Sequence, residues 1–116
     1  MQHRALNTEE IKQIVQAFGS AAKICKDCRA DGIEVHALHE GYMLDCFAME
    51  FFNQRIDEYG GSLDNRLRFA KEIVEAIKTS CGPNYPVAMR FSLKSTHIKE
   101  FFNYSGLEAK SRTPFL

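Results

Sequence analysis

Residues 32–47, GIEVHALHEGYMLDCF, begin as a strand and end as something else. Ile33, Val35 and Ala37 alternate with Glu34 and His36, and the β-branched residues among them favour an extended, half-buried segment. Glu34 and His36 therefore share one face. Past Ala37 the alternation stops, and His39, Glu40 and Tyr42 follow His36 closely. Three readings compete: a metal site, a catalytic cluster, or an ordinary polar strand end. As metal ligands the two histidines have only Glu40 as a third partner, and at a strand end they are not the i, i+4 helical pair of a zinc protease, so no metal is expected. The choice between the other two depends on the surrounding chain.

On the N-terminal side, Ile11, Ile14, Val15, Phe18, Ala21, Ala22, Cys25 and Cys28 recur at steps of three and four, which predicts an amphipathic helix from about Asn7 or Thr8 to about Arg29. Asn7 or Thr8 can cap it, with Glu9 and Glu10 in its positive first turn. Cys25 and Cys28 form a C-x-x-C, but they fall on the apolar stripe, where cysteine acts as a small hydrophobe, and no second ligand pair accompanies them. On the C-terminal side, GGSLDNR at 60–66 announces a second helix, with Ser62 as cap and Leu63, Leu67, Ala70, Ile73, Val74, Ile77 and Cys81 at helical spacing. Gly82 and Pro83 stop it. Val87, Met89 and Phe91 then alternate with Ala88, Arg90 and Ser92 in a second strand.

The order is helix, strand, long loop, helix, strand. Two strands separated by a helix are most economically parallel, so the fold class is α/β. The connection from about Leu38 to Gly61 is several times longer than the usual 2–6 residues, and long loops in compact domains are often functional. It leaves the carboxyl end of a parallel strand, the end where ligands bind in such sheets. Two parallel strands neither hide their edges nor close a barrel, so the unit reads as part of a larger fold. From Leu93 onward no helical or strand period is visible.

Charge excludes some partners. Fifteen basic residues balance 15 acidic ones, without a basic block, so neither nucleic acid nor an anionic membrane surface is expected. No window approaches the ~18 apolar residues of a membrane span, and MQHRALNTEEIKQ has no apolar signal core; a cytoplasmic location is the default expectation.

At residues 53–69, NQRIDEYGGSLDNRLRF, the chain closely resembles the flavin-dependent Old Yellow Enzyme superfamily, whose members share an N-x-R-x-D-E-Y-G-G-S-x-x-N-R-x-R-F pattern. The preceding GIEVHALHEGYMLDCF and the following EIVEAIKTSCGPNYPVAMRFS continue the match, over about residues 5 to 92. The H-E-G-Y-M-L-D form is similar to the branch holding 2-enoate reductases and 2,4-dienoyl-CoA reductases. The resemblance implies a fragment of a (β/α)8 TIM barrel, about helix 3 to strand 5. Residues 1–92 would be a partial FMN-dependent oxidoreductase domain and residues 93–116 a divergent tail.

The resemblance also implies roles. His36 and His39 match the histidine pair that binds the acceptor's carbonyl oxygen, Tyr42 a tyrosine that donates a proton, and Arg90 a strand-five arginine near the N1 and O2 edge of the flavin. FMN and NAD(P)H would be the cofactors, with a small unsaturated carbonyl compound as substrate. Cys46 departs from the branch, which commonly has glutamine there, and CRADG replaces the usual alanine-glycine turn. No cysteine cluster for the iron-sulfur centre of the multidomain members is present. Enone reduction collects negative charge on the carbonyl oxygen and needs a proton at the α-carbon, a task that imidazoles and a phenol suit. His36 and Arg90 fall on the inward-facing registers of adjacent predicted strands. Two functional expectations follow: an FMN-dependent ene-reductase, or a non-catalytic truncated fragment that keeps the motif, has lost the flavin site and lacks the remainder of the barrel.

Overall fold

A computed structural model describes residues 4–38, 42–50 and 52–91. In chain order the elements are α1 (Thr8–Asp27), β1 (Ile33–Leu38), α2 (Met43–Ala48), α3 (Leu63–Cys81) and β2 (Val87–Phe91). β1 and β2 are neighbours in one parallel sheet. Every element anticipated from periodicity is present, and α2 is an addition inside the stretch expected to be loop. Six residues give too few repeats for a helical period to show.

The chain divides into two compact units, one of Met1–Val35 with Arg68–Ala88 and one of His36–Leu67 with Met89–Leu116. In the first, α1 starts at a capping box. The Asn7 side chain accepts from the Glu10 N–H at 2.8 Å, and Glu10 returns to the Asn7 N–H at 2.9 Å. Ile11, Ala22, Val35, Phe69, Ile73, Ile77 and Cys81 form its interior. Gly19 lets α1 approach α3 closely, because a Cβ there would lie 2.9 Å from Ser80 Oγ and 3.0 Å from the Ala76 carbonyl oxygen.

Cys25 and Cys28 are exposed, which corrects the expectation that they pack. The buried seam of α1 runs through Ile11, Gly19 and Ala22 and ends a turn short of them. Among the described residues, no group of three or more His, Cys, Asp or Glu could hold a metal. No helix among them is long and apolar enough to cross a membrane.

The end of α1 stores some strain. The Ala30 N–H reaches the Cys25 carbonyl at 3.0 Å and the Arg29 N–H the Lys26 carbonyl at 2.8 Å, closing the helix with Arg29 at φ 67°. Glycine takes that left-handed conformation without a Cβ penalty. Arg29→Gly is therefore expected to stabilise the chain by about 0.5–1 kcal/mol, read from the urea midpoint, whereas Arg29→Val should lower it.

Candidate active site

His36, Tyr42 and Arg90 all belong to the second unit. Along the end of β1, Ala37 is buried and His36 is exposed, as the alternation requires. Tyr42 stands at the N-cap of α2 with extended backbone, φ −78° and ψ 169°, and its side chain is 56% exposed. The rings of His36 and Tyr42 lie 4.9 Å apart between centroids, tilted by 45°. The structure thus brings together two of the residues singled out. Arg90 lies on the exposed register of β2, one residue from the strand's end. His39 lies outside the described residues, as do residues 93–116.

Beneath Tyr42, α2 buries Leu44, Asp45, Phe47 and Ala48. Asp45 is fully buried, and its Oδ2 accepts from the Tyr42 N–H at 2.8 Å. Cys46 faces outward, and its thiol is raised by partial burial and then by the charge of Asp45, so it is a poor nucleophile near neutral pH.

The NQRIDEYGGSLDNR stretch is the scaffold for this helix. Asn53, 7% exposed, donates from Nδ2 to the Phe47 carbonyl at 2.6 Å and to the Tyr59 carbonyl at 2.7 Å. Its Oδ1 accepts from the Arg55 N–H at 3.0 Å, so one amide satisfies three backbone groups. Arg55 pairs with Asp57 through Nε at 3.0 Å and Nη2 at 2.5 Å, and its guanidinium lies 5.5 Å from the Phe47 ring centroid. Arg66 donates from Nε to the Ala48 carbonyl at 3.0 Å and from Nη1 to the Gly61 carbonyl at 2.5 Å. A Cβ on Gly60 would overlap the Arg55 carbonyl, so only glycine fits that turn. Arg55 and Asp57 thus brace the loop internally, and Arg66 ties it to the start of α3.

Asp57 and Glu10 give the chain an acid dependence. The hydrogen bonds from Arg55 hold the Asp57 carboxyl below its usual range against the opposing effect of burial, with the Tyr59 N–H assisting at 3.1 Å. Arg4, then the Asn7 N–H, lowers Glu10 to about 2. A lowered folded-state pKa contributes stability that is complete above the unfolded value and lost as pH falls through the folded one. The urea midpoint is therefore expected to hold above about pH 5 and to fall below about pH 4. Asp57→Asn should flatten that fall, and an unchanged slope would count against the pairing.

Sequence reasoning missed Asp45 and Asn53. Asp45 carried a signal, since an acidic residue three after a helix start can reach back to the cap. Asn53 opens the quoted motif, but its role was not legible there, because the Phe47 and Tyr59 carbonyls it joins are brought together only by the folded loop.

The model of the NADH:flavin oxidoreductase / NADH oxidase family matches residues 1–104. The chain belongs to that family. It is 60% identical over 92 residues to a cinnamate reductase of Clostridium sporogenes, which covers 79% of this chain and 14% of the relative. Among solved structures, a complex of 2-naphthoyl-CoA reductase with 2-naphthoyl-CoA superposes with a TM-score of 0.75 at 38% identity, covering 79% of this chain and 14% of that one. Histamine dehydrogenase from Rhizobium sp. 4-9 superposes with a TM-score of 0.79 at 39% identity, covering 95% of this chain and 16% of that one. The chain thus spans about one-seventh of the length of its cinnamate reductase relative.

Proposed function

We propose that this chain supplies one wall of the active site of an FMN-dependent oxidoreductase that uses NAD(P)H to reduce the C=C bond of an α,β-unsaturated carbonyl compound. The contact of the His36 and Tyr42 rings at 4.9 Å carries the reading, because it sets a hydrogen-bond donor beside a phenol at one strand end. The 60% identity to a cinnamate reductase favours C=C reduction over amine dehydrogenation. Within a barrel, the segment corresponds to about helix 3 through strand 5.

The residues present suit a flavin. Arg90 puts a guanidinium on β2, and a cation there matches the oxygen-rich pyrimidine edge and favours the negatively charged reduced form. When bound, the flavin supplies the hydride for the β-carbon. His36, with His39, donates hydrogen bonds to the carbonyl oxygen as charge collects there. Tyr42 passes its phenolic proton to the α-carbon, completing the CH–CH product, and is reprotonated from solvent after turnover.

The test is a chimera: the 92 matched residues of the Clostridium sporogenes cinnamate reductase are replaced by those of this chain. Cinnamate reduction with NADH is expected to persist, and a flavin-loaded chimera without turnover would overturn the proposal. Arg90→Met in that chimera is expected to lower the flavin's reduction potential, because the lost charge favoured the reduced anion. An unchanged potential would assign Arg90 a structural role.

A second reading, that the 116-residue chain by itself holds no flavin, is favoured by the two-stranded sheet among the described residues. A family flavin site draws on several strand ends at once. Titrating the isolated chain with FMN, following fluorescence quenching and NADH oxidation with an enone, is expected to show neither saturation nor turnover; both together would sink this reading.

A further inference from the structure

We propose that Asp45 is the positioning residue that sets the phenol of Tyr42, an inference that rests on Tyr42 being the proton donor. Three observations carry it. Asp45 is 0% exposed, although carboxylates are costly to bury and persist inside where hydrogen bonds offset the loss of water. Its Oδ2 accepts from the Tyr42 N–H at 2.8 Å, spanning back three residues to the helix cap. Tyr42 itself is 56% exposed, and its ring meets the His36 ring at 4.9 Å.

The helix that presents Tyr42 has only six residues, too few to be stable alone. Its ladder begins with the Cys46 N–H on the Tyr42 carbonyl at 3.2 Å and continues with the Met49 N–H on the Asp45 carbonyl at 3.0 Å. The buried carboxylate holds the other backbone group of the residue, the Tyr42 N–H. With the backbone fixed on both sides, only the ring torsions of Tyr42 remain free, and the His36 ring limits those. A proton donor misplaced by about 1 Å loses on the order of 100-fold in rate, so this anchor bears directly on catalysis.

The geometric part is tested on the 116-residue chain by NMR, reading the contact between the His36 and Tyr42 ring protons. Tyr85, whose hydroxyl donates to the Ala30 carbonyl at 2.8 Å in the first unit, serves as the internal folding control. Asp45→Ala is expected to abolish the ring contact while the Tyr85 signals stay in place. Asp45→Asn, whose amide oxygen still accepts, should keep it. A contact that survives in Asp45→Ala, a contact absent from the parent chain, or simultaneous loss of the Tyr85 signals would each overturn the assignment. In the chimera, Asp45→Ala should slow reoxidation of the flavin by cinnamate about 10- to 100-fold without slowing its reduction by NADH, and should add nothing to Tyr42→Phe. Equal loss in both half-reactions would make Asp45 merely structural. If Tyr42→Phe alone has no effect, the donor reading fails; the ring contact still decides whether Asp45 positions Tyr42.

Discussion

Tyr42→Phe, made in the chimera, is expected to slow the reoxidation of reduced flavin by cinnamate by about 100- to 10,000-fold, the range general acid catalysis supplies. Flavin reduction by NADH should be unchanged, because no proton passes through the phenol before the substrate accepts the hydride. The substitution removes one oxygen and leaves the ring, so the 4.9 Å ring contact with His36 and the fold of α2 should survive. Stopped-flow measurement of the two half-reactions separates the outcomes. Equal slowing of both would mean that Tyr42 shapes the site without donating, and no slowing would leave its exposed ring as a surface feature.

The second large effect is on stability. Asn53→Ala is expected to destabilise the chain by about 3 kcal/mol, because it leaves two buried carbonyls and an N–H without the partner that one amide provided. Leucine, similar in volume, should do no better, since the loss is of hydrogen bonds and not of packing. The neighbouring Gln54 is the control: it is exposed and its bond to the Glu50 carbonyl is long at 3.3 Å, so Gln54→Ala should stay within about 0.5 kcal/mol. Urea unfolding followed by far-ultraviolet circular dichroism compares them. A loss below about 1 kcal/mol at Asn53 would show that water replaces the amide.

These predictions differ in how far the sequence alone leads to them. The strand over Ile33–Leu38, the helices around it and the strand over Val87–Phe91 were determined by local pattern, because periods of two and 3.6 residues place apolar side chains on one face regardless of what covers it. The polar cluster at the end of β1 followed from the same alternation, which sends His36 and Ala37 to opposite faces. Other features exist only in three dimensions. Periodicity continued the apolar stripe of α1 to Cys25 and Cys28, but burial depends on a neighbour being present, and the seam stops at Ala22. The six-residue α2 has almost no period of its own, and its stability comes from the buried Asp45 and from Asn53 and Arg66, which bond to its end from six and 18 residues away. The sequence singled out the residues proposed for chemistry; the tertiary structure decided that Tyr42 lies against His36, because a hydrogen bond to a buried carboxylate fixes a backbone that local propensity leaves free.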